Sequence, residues 1–301
     1  MRHIIYILII LVTGAILTSC QDERETYIEP VEMVFVPAVT PVSGMENALY
    51  PEAQPFGIWA CTLPYGKTWD DNRDEASVLI NGEMVSKGNE GWKTDVTHIW
   101  DDRCLTTFFA WAPYSQPSSF SPDEGICFDQ FDILSDMPDP LYAYSLPDME
   151  KPEIGGFIAL PFEQSLSYVG FKVRAAIEDG YRSELKNAVV RNIARSGHFH
   201  SPPYPKWESD GRTFDYMLFE GSMPLGAELI PACENHRMLP QDLDLSVELT
   251  YNIYSEDGTY FYPDQKIRTN CLKVTWIPGQ AYTYSITLTA TDAVINKEIL
   301  D

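Results

Sequence analysis

The sequence is poor in basic residues. Only 21 lysines and arginines stand against 44 aspartates and glutamates in 301 residues, which gives a formal net charge of −23. Nucleic-acid binding depends on a basic patch that neutralises phosphates, and no basic stripe is found here. The composition therefore argues against nucleic acid as a partner. The negative charge favours solubility and mutual repulsion at a surface, and it indicates nothing about the fold.

The motifs of common enzyme classes are also absent. The sequence contains no H-E-x-x-H, G-x-S-x-G, P-loop or G-x-G-x-x-G pattern. Carboxylates are so frequent that a glycosidase pair could be chosen almost anywhere, and such a pair therefore indicates nothing. We expect neither enzymatic activity nor a cofactor.

The spacing of the cysteines and histidines gives little indication of a metal site. No two of the six cysteines have C-x-x-C spacing, and the five that follow Cys20 leave at least one thiol unpaired. A disulfide between Cys104 and Cys127 is one alternative in an exported protein, but we prefer buried free thiols. His198 and His200 stand two apart, so a strand would place both imidazoles on one face, as a metal site could use. Solvated histidines in a proline-rich hairpin are the alternative that we favour.

The one long apolar run lies at the N terminus. Residues 4–17 are apolar and follow Arg2, which is typical of a secretory signal and shorter than the roughly 20 residues of a membrane-spanning helix. The sequence Leu17-Thr18-Ser19-Cys20 resembles the lipobox of bacterial lipoproteins. We therefore predict a signal peptide over residues 1–19 and a diacylglycerol on Cys20, with palmitate among its acyl chains. An ordinary signal peptide with a chance cysteine is the alternative.

An acidic segment follows the cysteine. Residues 20–29 include Asp22, Glu23 and Glu25, and we predict an unstructured tether that keeps the folded body off the lipid surface. In some gut and oral bacteria a similar acidic stretch directs a lipoprotein to the outer face of the outer membrane. A tether without a sorting role is the alternative. We expect a surface-exposed lipoprotein of the outer membrane.

Apolar and polar residues alternate with a period of two along most of the remaining chain. The segment LDLSVELTYNIY places six apolar side chains on one face: Leu243, Leu245, Val247, Leu249, Tyr251 and Ile253. Two further segments alternate in the same way: Val169, Phe171, Val173 and Ala175, and Tyr282, Tyr284, Ile286 and Leu288. Such alternation is typical of antiparallel strands with one buried face and one solvated face.

Turn signals divide these strands. Asn81-Gly82 predicts a two-residue hairpin, and residues 277–280 predict a hairpin turn from the strand CLKVTW into the last long strand. Residues 181–197 predict a short helical turn followed by a strand. Proline and acidic residues crowd positions 134–155. We therefore predict a mainly β chain with two antiparallel β-sandwiches in tandem, over residues 30–155 and 156–301.

Four segments resemble, in order, the fimbrillin-like lipoproteins, which are subunits of type V fimbriae in anaerobic oral and gut bacteria. They are FGIWACTL, WKTDVTHIWDDRCLTTFFAWAPYS, LPFEQSLSYVGFKVRAAIED and WIPGQAYTYSITL. The second segment contains an F-F-A-x-x-P strand end, and the fourth has Trp276, Gly279, Tyr282 and Tyr284 at matching places. The third departs from the family at Gln164, where histidine is common. The resemblance spans nearly the whole chain.

This resemblance implies two transthyretin-like β-sandwich domains and a role in fimbrial assembly or adhesion, with other fimbrial subunits as partners. Family members lose an N-terminal strand to a trypsin-like protease and polymerise by strand exchange. The corresponding strand here is IEPVEMVFVPAV, with Val31, Met33 and Phe35 as the exchanging side chains. No arginine or lysine follows it before Lys67, and no long extension follows the last hairpin. An anchor, tip or accessory subunit is therefore favoured over a shaft subunit.

A glycan-binding outer-membrane lipoprotein built from tandem β-sandwich modules is the alternative function. Sugars stack on exposed aromatic rings, and four rings lie in polar or proline-rich stretches: Trp69, Tyr114, Tyr204 and Trp207. Rings that seal the ends of a sandwich would have the same sequence context. A glycan, or a receptor on a host or bacterial surface, is thus a further expected partner.

Overall fold

A computed structural model describes residues 30–42, 49–201 and 205–298. The predicted signal peptide, the tether and Cys20 lie outside these residues. Strands dominate the described part, and its helical structure is one turn, α1 (Trp69–Asn72), continued by a 3-10 turn (Arg73–Glu75). The prediction of a mainly β chain is confirmed. Within the described residues, no helix has the length and apolar character needed to cross a membrane.

Twenty-one strands are found in the described residues. In chain order they are β1 (Val34–Val39), β2 (Phe56–Pro64), β3 (Ser77–Gly88), β4 (Gly91–Thr94), β5 (Cys104–Ala112), β6 (Ser119–Ser121), β7 (Gly125–Asp132), β8 (Leu141–Tyr144), β9 (Phe157–Gln164), β10 (Ser167–Ala175), β11 (Tyr181–Ala194), β12 (Ser196–His200), β13 (Lys206–Ser209), β14 (Thr213–Leu225), β15 (Ile230–Met238), β16 (Asp242–Leu245), β17 (Val247–Ser255), β18 (Phe261–Arg268), β19 (Leu272–Thr275), β20 (Ala281–Leu288) and β21 (Ala293–Lys297).

Seven strands close into a barrel in the order β1-β4-β3-β2-β5-β8-β9. Alternation along β9 shows how the sequence builds it, because Ile158, Leu160 and Phe162 are fully buried while the residues between them are exposed. The barrel interior forms one hydrophobic cluster, which also contains Phe35 and Phe56. Burial of these side chains is the main force that closes the barrel.

The remaining strands form three four-stranded sheets and a pair. Their orders are β15-β10-β20-β21, β14-β11-β17-β18, β13-β12-β7-β6 and β16-β19. A second hydrophobic cluster lies among them, and Phe171 and Tyr284 are fully buried in it. The Trp276 indole N–H donates to the Tyr284 hydroxyl over 2.9 Å, which satisfies a buried donor. The predicted alternation of residues 169–175 and 282–288 is confirmed, since the named apolar side chains are buried.

One sheet joins strands from both sides of residue 155. In it β12 pairs with β7, and the rings of Phe128 and Phe199 stack with centroids 5.2 Å apart. Strand β9 also follows residue 155, yet it completes the barrel beside β1 and β8. Contacts group the described residues from Val31 onward into one compact unit. The division into two transthyretin-like domains at residue 155 stays a prediction.

The sequence predicted purely antiparallel strands, but the structure also contains parallel pairs. Two pairings, β1 with β9 and β10 with β20, are parallel. Local alternation gives the face that a side chain occupies, but it does not give the direction of the neighbouring strand. The expectation of wholly antiparallel sheets was therefore wrong.

The prediction of a hairpin at Asn81-Gly82 was also wrong. Both residues lie inside the continuous strand β3, and Gly82 has φ +67°. The register between β2 and β3 shifts at Ile58 and Trp59, opposite these residues. The glycine therefore supplies the positive φ of a β-bulge, a conformation that is also common in tight turns.

Two other local predictions differ from the structure. Residues 181–194 form β11 throughout, where a helical turn was expected at the start. The turn at residues 277–280 does not join a hairpin, because β19 pairs with β16 whereas β20 pairs with β10 and β21. The last hairpin of the described chain is therefore β20–β21.

Candidate functional site

Strand β1 is held unequally by its two neighbours in the barrel. It pairs with β9 at six successive positions, from Val34 opposite Phe157 to Val39 opposite Phe162. It pairs with β4 at one position, Phe35 opposite Trp92. The backbone N–H of Thr40 extends the β9 side with a hydrogen bond of 2.7 Å to the Phe162 carbonyl. One side of β1 therefore carries most of its backbone pairing.

The segment before β1 pairs elsewhere. The N–H of Met33 donates to the His98 carbonyl over 2.9 Å, and the N–H of Trp100 donates to the Val31 carbonyl over 3.0 Å. Glu32 accepts a salt bridge from Lys93 at 2.8 Å, and both side chains are partly exposed. An exposed ion pair of this kind is screened by solvent and contributes little to stability. Backbone pairing and apolar side chains therefore hold this segment.

The predicted exchange residues are inserted to different depths. Met33 and Phe35 are buried, with 4% and 1% of their surface exposed, whereas Val31 is half-buried. The Phe35 ring meets Phe56 and Phe108 edge to face, with centroids 6.4 and 6.1 Å away. Edge-to-face contact is a favoured aromatic geometry. Phe35 is therefore the principal anchor of β1 in the barrel.

A glycine makes room for the entry of β1. A Cβ atom at Gly156 would overlap the carbonyl oxygen of Glu32, so only glycine permits this approach. The Gly156 carbonyl in turn accepts a hydrogen bond of 2.9 Å from the N–H of Val34. The residue just before β9 is thus fitted to the backbone that precedes β1.

The first basic residues after β1 lie beyond the next strand. Lys67 follows β2 and forms an ion pair with Glu75, and Arg73 begins the 3-10 turn. Strand β2 lies in the barrel between β3 and β5 and pairs with both along its length. A cut at Lys67 or Arg73 would therefore separate β2 as well as β1 from the rest of the barrel.

The two candidate metal histidines lie on β12, and both contact side chains on the neighbouring β7. His198 Nδ1 is 3.3 Å from Asp129 Oδ1, whereas His200 Nδ1 is 3.4 Å from Cys127 Sγ. Glu124 Oε2 lies 3.8 Å from the same sulfur. The structure therefore brings His200 together with Cys127 and Glu124, and not with His198.

The five thiols of the described residues are free, and the preference for buried free thiols holds for three of them. Cys61, Cys127 and Cys233 are buried, Cys104 is intermediate and Cys271 is exposed. Burial raises the pKa of the Cys127 thiol to about 11, and the carboxylates of Glu124 and Asp129 add to the shift. A thiol in these surroundings is protonated at neutral pH.

Two of the rings considered for glycan stacking are not available at the surface. Trp69 and Trp207 are buried, with 2% and 7% exposed, and the Trp207 indole donates to the Ser165 carbonyl. Tyr114 is exposed by 38%, and Tyr204 lies outside the described residues. For both tryptophans, packing in the core is the correct interpretation.

Other aromatic rings are exposed instead. Tyr260, Phe261 and Tyr262 lie at or beside the start of β18, an edge strand, and each is about half exposed. An open cleft of about 330 Å³ lies beside them. Its lining includes Tyr181, Tyr251, Tyr262, Glu178 and Gln265. Sequence reasoning missed this cleft, because its residues come from separate strands.

Comparison with known proteins gives the class of fold. No protein-family model and no curated protein matches the chain. A fimbrial protein from Bacteroides vulgatus has a similar structure, with 14% identity, a TM-score of 0.59, and coverage of 89% of this chain and 98% of that one. A candidate cell adhesion protein from Bacteroides uniformis is 13% identical, with a TM-score of 0.50 and coverage of 90% and 98%. Solved fimbrial and adhesion proteins thus share this fold, and the fimbrillin-like resemblance of the sequence is confirmed at that level.

Proposed function

We propose that the chain is a lipid-anchored surface protein of fimbrillin-like type that acts in fimbrial assembly and adhesion by β-strand exchange. The unequal pairing of β1, along six positions with β9 and at one with β4, is the observation that carries this proposal. The fold shared with a fimbrial protein supports it. Other fimbrial subunits are the partners, and the lipid on Cys20 holds the chain at the outer membrane.

The groups that β1 covers support exchange. Its departure would free the backbone groups of β9 and empty the position of Phe35 between Phe56 and Phe108. Unpaired backbone groups and exposed apolar side chains are unfavourable in water, so the vacated groove would accept another strand. An incoming strand needs one large apolar residue at the Phe35 position and a second apolar residue at the Met33 position.

The position of the basic residues supports an anchor, tip or accessory subunit. Release of β1 alone requires a cut between residues 40 and 55, and this stretch has neither lysine nor arginine. Beyond β1, the first residue at which a trypsin-like protease would cut is Lys67, and this cut would also detach β2. We therefore propose that β1 is retained, or that a protease of another specificity removes it.

A disulfide across β1 and β9 tests the exchange. Val36 and Ala159 are exposed register partners, so cysteines at both positions would meet the spacing that a disulfide needs. A labelled peptide with the sequence of residues 28–40 should enter the wild-type protein slowly. It should not enter the oxidised V36C/A159C variant, and reduction should restore its uptake.

The single variants Val36→Cys and Ala159→Cys are the matched controls and should take up the peptide like the wild type. Uptake by the oxidised double variant would show that the peptide binds elsewhere, and the exchange proposal would be abandoned. The anchor is tested separately with a fatty-acid probe. The wild type should be labelled, and labelling that persists in Cys20→Ala would refute the lipid assignment.

Glycan binding is a second candidate, and the aromatic cleft beside β18 favours it. Tyr262 offers a ring that is 49% exposed, while Glu178 and Gln265 supply polar groups in the same cleft. Retardation in polysaccharide affinity gels should fall for Tyr262→Ala. The control Tyr65→Ala changes an equally exposed ring elsewhere and should leave retardation unchanged. Equal behaviour of both variants would contradict a site in this cleft.

A further inference from the structure

Strand pairing collects three metal-ligating side chains at one end of the sheet β13-β12-β7-β6. Cys127 on β7 and His200 on β12 are direct partners in the register. Glu124 lies in the tight turn between β6 and β7, one residue before β7 begins. The backbone N–H of this residue donates to the Ser121 hydroxyl over 3.2 Å, so that a hydrogen bond closes the turn. The three side chains are therefore placed by regular pairing and a hydrogen-bonded turn.

The separations of the ligand atoms fit one ion. Cys127 Sγ lies 3.4 Å from His200 Nδ1 and 3.8 Å from Glu124 Oε2, and all three ligand atoms lie within 4.8 Å of one another. Zinc bonds sulfur at about 2.3 Å and nitrogen or oxygen at about 2.0–2.2 Å, so tetrahedral ligands lie roughly 3.3–3.6 Å apart. Small side-chain rotations would bring the three atoms onto this geometry.

Hydrogen bonds link the three side chains around the Cys127 sulfur. A thiol carries one hydrogen and can also accept one, so Cys127 can donate to Glu124 while it accepts from the Nδ1–H of a neutral His200 imidazole. A zinc ion would replace these bonds: the thiol releases its proton to solvent on binding, and the thiolate, the imidazole and the carboxylate then coordinate the ion together. The surrounding charge also suits a cation, since the same cleft holds the carboxylates of Asp123 and Glu208 besides that of Glu124.

Two basic side chains lie in this cleft as well. Lys206 forms a salt bridge of 2.8 Å with Glu208, so these two charges cancel. Two carboxylates, Asp123 and Glu124, then remain against one cation, Arg73. The cleft has a volume of about 540 Å³ and opens to solvent, so an ion can enter and a water can complete its coordination. The lining therefore has a net negative charge and an entry path.

We propose that Glu124, Cys127 and His200 bind a zinc ion, with the fourth position open to the cleft. One thiolate, one imidazole and one carboxylate suit zinc better than calcium or magnesium, which prefer oxygen ligands. Because β7 and β12 come from opposite sides of residue 155, the ion links the two halves of the chain. Because the zinc ion binds only the folded state, it should raise the temperature at which the protein unfolds.

Titration of the metal-free, purified full-length protein with Zn²⁺ tests the site. Calorimetry should give one ion per chain, and Co²⁺ in its place should produce thiolate-to-cobalt charge-transfer absorption. Cys127→Ala should abolish that absorption. Both Cys127→Ala and His200→Gln should weaken Zn²⁺ binding by more than about 10- to 100-fold, which is the loss expected when only an outer-sphere partner is removed. Glu124→Gln changes an exposed residue, so it should weaken binding without disturbing the fold.

Two matched variants guard against binding elsewhere. His198→Gln alters the other histidine of β12, which contacts Asp129, and Cys271→Ser removes the exposed thiol. Both should bind Zn²⁺ within about twofold of the wild type. Absence of stoichiometric binding, or unchanged affinity in both Glu124→Gln and Cys127→Ala, would overturn the proposal. Circular dichroism of each variant confirms that the fold is retained.

Discussion

Phe35 fixes β1 in the barrel through its ring. Only 1% of the residue is exposed, and its nearest aromatic partners come from β2 and β5. Phe35→Ala removes these contacts and leaves a cavity, so we expect the free energy of unfolding to fall by about 3–5 kcal/mol. Urea denaturation followed by tryptophan fluorescence measures the change.

The adjacent residue provides the control for this prediction. Val36 points outward and is 46% exposed, so Val36→Ala should change the free energy of unfolding by no more than about 0.5 kcal/mol. If the two substitutions cost the same, β1 is not held through Phe35, and the proposed groove loses its anchor.

Asp132 makes stability depend on pH. Burial acts to raise the pKa of this carboxyl, but hydrogen bonds from Arg195 and from the Leu134 backbone outweigh burial and lower it. A depressed pKa in the folded state contributes stability that is present above the ordinary aspartate value, about 3.9, and is lost as pH falls through the folded value. Asp132→Asn should therefore be less stable at pH 7, with a shallower loss of stability below about pH 4.

The comparison for this prediction is Asp136→Asn, four residues away and exposed. Its thermal midpoints should follow those of the wild type between pH 7 and pH 2. If Asp132→Asn also follows the wild type throughout this range, the contact with Arg195 contributes nothing to acid stability.

Strand β3 depends on the bulge at Gly82. The residue has φ +67°, and an added Cβ would lie 3.2 Å from the Trp59 ring. A side chain at a left-handed position costs roughly 1–2 kcal/mol, and crowding against the ring adds to this cost. Gly82→Ala should therefore lower the free energy of unfolding by at least about 1 kcal/mol in urea denaturation.

Gly88 in the same strand serves as the control. Its nearest neighbour to an added Cβ is 3.8 Å away, an ordinary contact, so Gly88→Ala should be neutral or mildly stabilising. Similar losses at both glycines would mean that the bulge does not require glycine.

Local patterns predicted which faces of the strands are buried but not which strands are neighbours. Alternation in β10 and β20 is a property of a few consecutive residues, so the sequence suffices to identify their core side chains. Their parallel pairing joins residues more than one hundred positions apart, such as Tyr168 and Ala281, and no local signal encodes it. Residues 243–254 show the same limit, because the predicted single strand divides at Ser246 into β16 and β17, which lie in different sheets.

The candidate sites follow the same rule. The burial of Met33 and Phe35 could be predicted because they alternate with polar or more exposed neighbours along one short segment. The cluster at Cys127 could not, since His200 lies 73 residues further along the chain and only the pairing of β7 with β12 brings them together. His198 and His200 both lie on β12, but the companion of His200 lies on the neighbouring strand β7.

Over the whole molecule, shared strands connect the two halves on either side of residue 155. The barrel takes β9 from the second half, and β7 of the first half pairs with β12 of the second. The Arg195 side chain adds a salt bridge of 2.6 Å to Asp132 at the end of β7. If either half unfolded alone, the other would lose a strand neighbour and this ion pair.

We therefore predict that the two halves unfold in one transition. Denaturation curves from tryptophan fluorescence and far-ultraviolet circular dichroism should coincide, and the calorimetric and van't Hoff enthalpies should agree. Phe199→Ala removes the stacking contact with Phe128 in the shared sheet and should begin to separate the two signals. Phe162→Ala empties a position inside the barrel and should lower the common midpoint without separating them. Two clear transitions in the wild type would instead support independent domains divided near residue 155, and the shared sheet would then have to be a weak contact between them.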